Sequence, residues 1–415
     1  MTPTLETTAP ATATSVDPSA DELIASARSL RERLRELQAE HAELGTYSQE
    51  IHEAFVEHRL YDLLRPKRYG GLEVSLETFF RVAIEISRGD PGVGWSWELG
   101  ASHAYQFASH FPERAQEEAF GSAEPFIAAS RAFPLRADVQ RVDGGYTLSG
   151  RWNFNSGCTY STHFMPVAPV THEDGSTELH MFILPRKDFT ILDDWGAGKT
   201  IGLHASSSNS IEIEGAFVPE HNVVPFNFKD LEWGEDATPG YRLHRNPLYL
   251  GRTSAFFIAG LTQTQIGAAL ACKDEYEKLM ERGSSFPPRI PRSESPEYQL
   301  WYGQVVSLAE SSETLMLGAL REFEQLNTAW TVGGAEFTTA EDVRLRGQIV
   351  QAAKLAQQAI EIAFSTAGSS ASGLAGTKLG KYSADAAMYR THIGAQHDVL
   401  LGSLGRVLLG QPLTM

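Results

Sequence analysis

The spacing of apolar residues divides the chain into a helical, a β-rich and a second helical region. Over Asp21–Leu64 apolar residues recur every three or four positions with Arg and Glu between them, which predicts amphipathic helices. A Pro and Gly break follows at Arg65–Gly71, and the helical spacing resumes over Ser75–Arg88 and Gly92–His110. The last stretch is rich in Trp, His and Ser, which is unusual for a helix that only packs in a core.

After Pro125 short segments with alternating apolar and polar residues replace the helical spacing. Gly-Gly, Asp-Gly and Pro breaks separate the segments, a pattern typical of an antiparallel barrel or sandwich. The predicted strands cover residues 126–130, 137–142, 146–154, 164–170, 179–184 and 210–218.

From Gly240 the spacing is helical again, and small residues occupy several faces of each helix. This predicts a four-helix bundle that also packs against other subunits. The predicted long helices are Gly251–Arg282, Glu297–Thr328, Thr339–Ser365 and Ser383–Leu409. The expected fold class is therefore α+β. We expect a leader at residues 1–20, a helical domain at 21–124, a β-domain at 125–235 and a helical bundle at 240–415.

Composition narrows the function classes. The chain has 415 residues, of which 42% are hydrophobic and 21% charged, as in globular proteins with large cores. A net charge of −17 argues against binding to nucleic acid or to an anionic membrane, and no apolar run of the sequence approaches the length of about 20 residues that a membrane span needs. The N-terminus lacks the basic and apolar regions of a secretory signal. Two distant cysteines form no metal-ligand pattern and fit a reducing, cytoplasmic location.

The segment Gly150–Cys158 (GRWNFNSGC) is the first candidate for a ligand site. It combines aromatic rings with an amide and a hydroxyl directly after a strand-like run. Such a strand can present planar apolar surface and hydrogen-bonding groups to a flat ligand. An ordinary amphipathic strand that ends in a Gly turn explains the same residues equally well.

Three motifs, in order along the chain, resemble the acyl-CoA dehydrogenase fold. Arg65–Glu73 (RPKRYGGLE) looks like the family's Pro-x-x-Tyr-Gly-Gly turn between early helices. Gly150–Gly157 looks like the family's strand that lies against the flavin, and Tyr389–Arg390 is similar to the Tyr-Arg-Asp that precedes its catalytic glutamate. The resemblance covers almost the whole chain after residue 20 and implies an acyl-CoA dehydrogenase-like fold.

The residues after Arg390 depart from the dehydrogenase pattern. A dehydrogenase of this fold uses a carboxylate to take a proton while hydride moves to the flavin. The family often supplies this base in a Glu-Gly-Thr segment, but here Thr391–Val399 reads THIGAQHDV. Asp398 is its carboxylate and a shorter, less suitable base, although some members carry the base on an earlier helix. An FAD-dependent acyl-CoA dehydrogenase-type oxidoreductase is therefore the alternative function.

Other segments resemble the two-component flavin-dependent monooxygenases of the same fold, which include p-hydroxyphenylacetate and secosteroid hydroxylases. These segments are Gly94-Trp95 with Ser102–Gln106, Trp152–Cys158, and the late His397. The resemblance implies an oxygenase component that hydroxylates an aromatic or polycyclic small molecule through a C4a-hydroperoxyflavin. It also implies reduced flavin (FMNH2 or FADH2), O2, a flavin reductase as partner and a homotetramer.

The resemblance further implies a role for each candidate residue. His397 would support formation and protonation of the peroxide, since the pKa of histidine lies near working pH. Ser156 would contact flavin N5, and His103 and Ser130 would bind a phenolic or amine substituent of the substrate. The other cofactor-binding candidates are Trp152, Phe154 and Asn155 beside the ring, and Ser206, Ser208 and Arg292 toward a flavin phosphate.

Structural alternatives compete with these assignments. His392 competes with His397, because two residues five positions apart on one helix point about 140° apart and only one can face the flavin. Arg289 competes with Arg292, and surface solvation explains either arginine. Ser206 lies in a polar segment that a β-turn explains equally well.

A third, non-enzymatic reading is a helical scaffold that has lost its cofactor. The run Trp152–Cys158 argues against it.

Overall fold

The N-terminal region consists of short helices packed on two longer ones. The computed structural model describes residues 17–227, 237–283 and 289–414. Its first helices are α1 Ala20–Ser29, α2 Arg31–Glu36, α3 Gln38–Leu44, α4 Gln49–Glu57, α5 Leu76–Gly89, α6 Pro91–His110 and α7 Glu113–Phe120. Ser19 and Glu22 form a capping box that begins α1, and Gly45 ends α3 with φ +71°. Residues 1–16 of the predicted leader lie outside the described residues.

The β-region consists of two sheets in the described part of the chain. The strands are β1 Ala128–Arg131, β2 Arg136–Val142, β3 Gly145–Trp152, β4 His163–Thr171, β5 Thr177–Phe182, β6 Leu184–Pro185, β7 Thr190–Ile191, β8 Ile211–Pro219 and β9 Val223–Pro225. One sheet has the order β1-β4-β5-β9 with β6 paired to β4, and the other has the order β2-β3-β8-β7. Leu148 and Trp152 from one sheet and Phe164 and Phe182 from the other form a shared core. The pairs are antiparallel except β1–β4, which is parallel and corrects the purely antiparallel prediction.

Three long helices dominate the C-terminal region. Its helices are α8 Pro239–His244, α9 Ser254–Met280, α10 Pro296–Thr331, α11 Thr339–Thr366, α12 Ser369–Ser372, α13 Lys378–Tyr389 and α14 His397–Leu408. The predicted fourth long helix, Ser383–Leu409, is wrong, because a short 3-10 turn at Ile393–Ala395 separates α13 from α14. His392 caps this turn by accepting a hydrogen bond from the backbone N–H of Gly394.

Helix α9 is the central helix of this bundle. By length and composition it is able to cross a membrane, with a mean hydropathy of 1.4, so the expectation of no such run was wrong. In the fold 94% of that apolar window is buried, against helices that include α5, α6, α10 and α11.

The observed order of helices, strands and helices confirms the predicted fold class, while the domain limits stay predictions. Part of the predicted connection over Pro225–Pro239, and the Pro287-Pro288 break, lie outside the described residues.

Candidate active site

A cleft of about 280 Å3 opens where α6, the ends of β1 and β3, the segment before β8 and the residues after α13 meet. It is lined by Trp95, Arg131, Phe133, Phe154, Ser156, Trp195, Leu203, Ser206, Ser208, Met388, Tyr389, Thr391, His392 and Ile393. Its volume is near the lower end of the range for small-molecule sites, about 300 Å3 and upward. Eight of these fourteen residues are aromatic or aliphatic, and six are polar.

A row of hydroxyl groups forms one polar edge of the cleft. Trp95 Nε1 donates to Ser156 Oγ at 2.8 Å, and Ser156 Oγ lies 2.7 Å from Ser208 Oγ. Ser208 Oγ is in turn 2.7 Å from Ser206 Oγ. Because an indole N–H only donates, it occupies a lone pair of Ser156 and leaves the serine proton available to Ser208 or to a ligand.

The loop that carries Ser156 is fixed to both β8 and α6. Asn155 is buried, and its Nδ2 donates to Trp152 O at 2.5 Å and to Asn209 O at 2.9 Å. Gly157 has φ +74°, and a Cβ there would lie 2.5 Å from the carbonyl oxygen of Ser96 in α6. Only glycine accommodates both the backbone conformation and this close approach.

Cys158 continues this loop and is completely buried. Its Sγ donates to the carbonyl oxygen of Ser207 at 3.2 Å. Burial raises the pKa of the Cys158 thiol to about 12, so the thiol stays protonated.

His392 lies on the cleft wall with its ring 5.4 Å from that of Trp95, edge to face. Its Nδ1 accepts from Gly394 N at 3.0 Å, so the neutral ring carries its proton on Nε2 and is a donor there. Burial, and then the positive charge of Arg131, lower the pKa of His392 to about 4. At neutral pH the cleft therefore contains a neutral imidazole with one N–H donor.

His103 has the opposite tautomer. Its Nδ1 lies 2.8 Å from the carbonyl oxygen of Ala128 and also contacts that of Leu99, so Nδ1 carries the proton and Nε2 is an acceptor. Burial lowers the pKa of His103 to about 4. The contact to Ala128 fixes α6 to β1, and His103 does not line the cleft.

Aromatic rings form the walls of the cleft. Phe154 is 55% exposed with φ +63°, and its ring lies 6.1 Å from that of Trp195, edge to face. On the other side the ring of Tyr389 lies 6.1 Å from that of Trp95. The guanidinium of Arg131 lies 5.8 Å from the centre of the Phe154 ring.

Besides His103, the structure places four predicted residues away from the cleft. Trp152 is in the core between the sheets, where Nε1 donates to Val167 O at 3.0 Å, because it shares the inward face of β3 with Leu148. Ser130 Oγ donates to Met165 O at 2.8 Å, which links β1 to β4.

His397 and Arg292 are also outside it. His397 begins α14 and contacts Asp398 Oδ1 at 2.8 Å and Gln351 Oε1 at 3.1 Å, so the preference for His397 over His392 was wrong. Arg292 donates to Gly283 O at 2.7 Å and lies over the ring of Tyr298, and neither it nor Arg289 reaches the cleft.

The cleft fits a flat aromatic cofactor such as a flavin. Ser156, Ser206 and Ser208 supply hydroxyl groups along one edge, the indole N–H of Trp95 holds Ser156 in place, and the aromatic walls supply planar apolar contact. The predicted residues that meet here are Phe154, Ser156, Ser206 and Ser208, with Asn155 bracing the loop behind them.

Sequence reasoning did not assign Arg131, Trp195 or Tyr389 to the cleft, and it did not give Trp95 its contact with Ser156. For Trp95 the signal was the polar, Trp-rich composition of α6. Arg131 ends β1 and Trp195 lies between β7 and β8, each without a motif of its own, so only the fold brings them to the cleft.

The chain has the acyl-CoA dehydrogenase-like fold, with helices on both sides of a two-sheet β-region. Residues 18–121 match the family described as acyl-CoA dehydrogenase, N-terminal domain.

Its relatives are named as hydroxylases or as oxygenase subunits of flavin-dependent monooxygenases, which confirms the resemblance to the monooxygenases of this fold. The chain is 31% identical over 256 residues to a pigment production hydroxylase of Rhodococcus sp. (strain ATCC 21145), covering 61% of this chain and 63% of the relative. It is 25% identical over 383 residues to the flavin-dependent monooxygenase oxygenase subunit HsaA of Rhodococcus jostii (strain RHA1), covering 92% and 96%.

Solved structures of such proteins superpose over nearly the whole chain. The HsaA monooxygenase from M. tuberculosis has a TM-score of 0.85 at 21% identity, covering 96% of this chain and 99% of the other. XiaF from Streptomyces sp., in complex with FADH2 and glycerol, has a TM-score of 0.83 at 23% identity, covering 95% and 97%.

Proposed function

We propose that the chain is the oxygenase component of a two-component flavin-dependent monooxygenase that hydroxylates an aromatic or polycyclic small molecule with reduced flavin and O2. One observation carries the proposal. The described residues of the cleft combine the Trp95–Ser156 hydrogen bond with the neutral N–H donor of His392, and they include no carboxylate. A dehydrogenase of this fold needs a carboxylate base, whereas an oxygenase needs donors in a dry pocket.

In this proposal the flavin supplies the electrons that activate O2, and the chain's residues position and protect it. Ser156 Oγ, held by Trp95, would meet the flavin's polar edge at N5, and Phe154 would cover the ring. Ser206 and Ser208 extend the polar edge toward the flavin phosphate. The XiaF structure is a complex with FADH2 and a structure of TdsC from Paenibacillus sp. A11-2 is a complex with FMN and indole, which supports a reduced flavin of either kind, FMNH2 or FADH2.

His392 replaces His397 as the proposed hydrogen-bond donor to the oxygen being activated. Its Nε2–H is directed by the bond that Gly394 makes to Nδ1. A pKa near 4 keeps this imidazole neutral, so it gives a hydrogen bond throughout the neutral range without adding a charge to the cleft. The apolar walls limit access of water, which would otherwise promote loss of reduced oxygen species.

His103 and Ser130 remain proposed substrate-binding residues, although neither lines the cleft. Both hold β1 through backbone contacts, and both keep an acceptor, namely Nε2 of His103 and the lone pairs of Ser130 Oγ. A phenolic O–H that reaches this nitrogen would be oriented by it. A separate flavin reductase, a homotetrameric assembly and a cytoplasmic location complete the proposal.

The test is reconstitution with a flavin reductase, NADH and O2, followed by a panel of phenols and fused-ring aromatics. We expect a hydroxylated product, with His392→Gln diverting most reducing equivalents to hydrogen peroxide and His397→Gln leaving the product yield unchanged. The competing outcome is a tightly bound FAD that an acyl thioester reduces without O2, which would refute the oxygenase and establish the dehydrogenase. A protein that binds no flavin in either redox state would refute both.

A further inference from the structure

Arg131 is the cationic side chain of the cleft, and the protein leaves its charge without a counterion. Across residues 17–227, 237–283 and 289–414 it makes no hydrogen bond and no ion pair, and its Nε is buried without a partner. Its described contacts are the cation–π contact with Phe154 and the electrostatic influence on His392. Two buried arginines of this chain differ, since Arg35 pairs with Asp274 and Arg252 with Glu336.

Leaving a half-buried guanidinium unpaired costs free energy, because burial removes water without supplying an anion. Burial accordingly lowers the pKa of Arg131, and no acidic group among the described residues opposes that effect. The cost is recovered when a ligand brings an anionic oxygen, which a guanidinium binds with short, charge-assisted hydrogen bonds.

The surroundings of Arg131 define the rest of such a ligand. Phe133 is 59% exposed and Phe154 55% exposed, and both line the cleft with Ile393, which is 49% exposed. Exposed aromatic and aliphatic side chains around one cation match a planar apolar molecule with a negative charge at one edge.

We propose that Arg131 makes the cleft selective for an anionic aromatic ligand, by binding an ionised oxygen on the edge of a planar ring system. The inference rests on the proposed function for what that ligand does. Two ligands of that function have this chemistry, namely a substrate with a carboxylate or phenolate group and the anionic form of the reduced flavin. Arg131 is then a specificity-determining residue for the reaction.

Two pairs of probes separate charge from shape. Para-hydroxybenzoate and para-hydroxybenzamide differ mainly in the charge of one substituent, and oxidised and reduced FMN at mildly alkaline pH differ in the charge of the ring. Dissociation constants are measured by calorimetry for the benzoate pair with the flavin-loaded protein. For the two FMN forms they are measured by anaerobic fluorescence titration.

The variants are Arg131→Gln, which removes the charge, and Arg131→Lys, which keeps it. Arg141→Gln is the matched control, because Arg141 is exposed on β2 and pairs with Glu220 at the surface. We expect Arg131→Gln to weaken binding of the anionic member of at least one pair about tenfold or more, and of its neutral partner by less than about twofold. Arg131→Lys should keep most of the selectivity, and Arg141→Gln all of it.

The pair that responds identifies the source of the anion. Loss of selectivity between the benzoate and the benzamide assigns Arg131 to the substrate, and loss between the two FMN forms assigns it to the cofactor. Equal weakening of both members of each pair, or no change in either pair, would overturn the proposal. Since binding is measured without turnover, a failure to hydroxylate would count against the proposed function and not against the anion selectivity.

Discussion

Replacing Gly157 with Ala tests whether the loop of the cleft lies against α6 as described. Gly157 has φ +74°, and an added Cβ would lie 2.5 Å from Ser96 O and 3.0 Å from Gly100 N. The left-handed conformation costs an L-residue about 1 kcal/mol, and forcing a methyl group against packed backbone adds about 1–3 kcal/mol. We therefore expect Gly157→Ala to lower the free energy of unfolding by about 2–4 kcal/mol.

Gly144→Ala is the control, because Gly144 has φ +75° and an added Cβ would meet no atom within 4 Å. It carries the conformational cost alone, about 1 kcal/mol. Urea unfolding followed by circular dichroism gives both values from the midpoints and a common slope.

The same substitution should weaken flavin binding, because moving the loop from α6 separates Ser156 from Trp95 Nε1. The flavin dissociation constant of Gly144→Ala should equal that of the wild type. Equal destabilisation by the two substitutions would show that the loop does not approach α6 closely, and the described position of Ser156 would then be wrong.

Three further predictions concern the buried titratable groups. Since the pKa of His392 is lowered to about 4, the contribution of His392 to product yield should be constant above about pH 6 and decline below pH 5. A step in product yield near pH 6.5 that His392→Gln abolishes would contradict this pKa. Burial raises the pKa of Glu98 to about 8, so ionisation in the unfolded chain should make the wild type lose stability relative to Glu98→Gln as the pH rises from 4.5 to 8. The upper limit of that change is about 5 kcal/mol, and parallel pH profiles of urea midpoints would refute it. Asp274→Ala leaves two arginines without their carboxylate and should cost about 3 kcal/mol, against less than about 1 for Glu310→Ala at an exposed pair, and equal losses in thermal scans would contradict the buried network.

Much of the fold follows from local periodicity. The stretch predicted at Ser75–Arg88 is α5 Leu76–Gly89, because its apolar stripe and the N-cap Ser75 act within one helix. The last helix was predicted wrongly for a related reason. The apolar spacing continues from Tyr389 past residue 400, and nothing in that spacing marks the turn at Ile393–Ala395.

The same unpredicted turn at Ile393–Ala395 explains why His397 was preferred over His392. On one unbroken helix only one of His392 and His397 could face the flavin, and the resemblance favoured His397. The break removes the competition and brings His392 into the cleft.

The sequence pattern indicates the position of Trp152 but not that of Phe154. Alternation along β3 puts Trp152 on the same face as Leu148, which is the face that packs on the other sheet. Phe154 reaches the cleft because its backbone has φ +63°, a conformation that a phenylalanine in the sequence does not predict. Arg131 had no signal at all, since its lack of a counterion is a property of the folded chain.

The burial of Cys158 bears on how long such an enzyme would survive its own chemistry. A site that handles reduced oxygen exposes nearby sulfur to oxidation, and the thiolate is the form of cysteine that reacts. Cys158 is only two positions from Ser156, yet its pKa of about 12 leaves on the order of one molecule in 100,000 ionised at neutral pH. Its hydrogen bond to Ser207 O and its complete burial therefore place an oxidisable group beside the cleft in its inert state. We would then expect oxidation of other residues to inactivate the enzyme before oxidation of this thiol did.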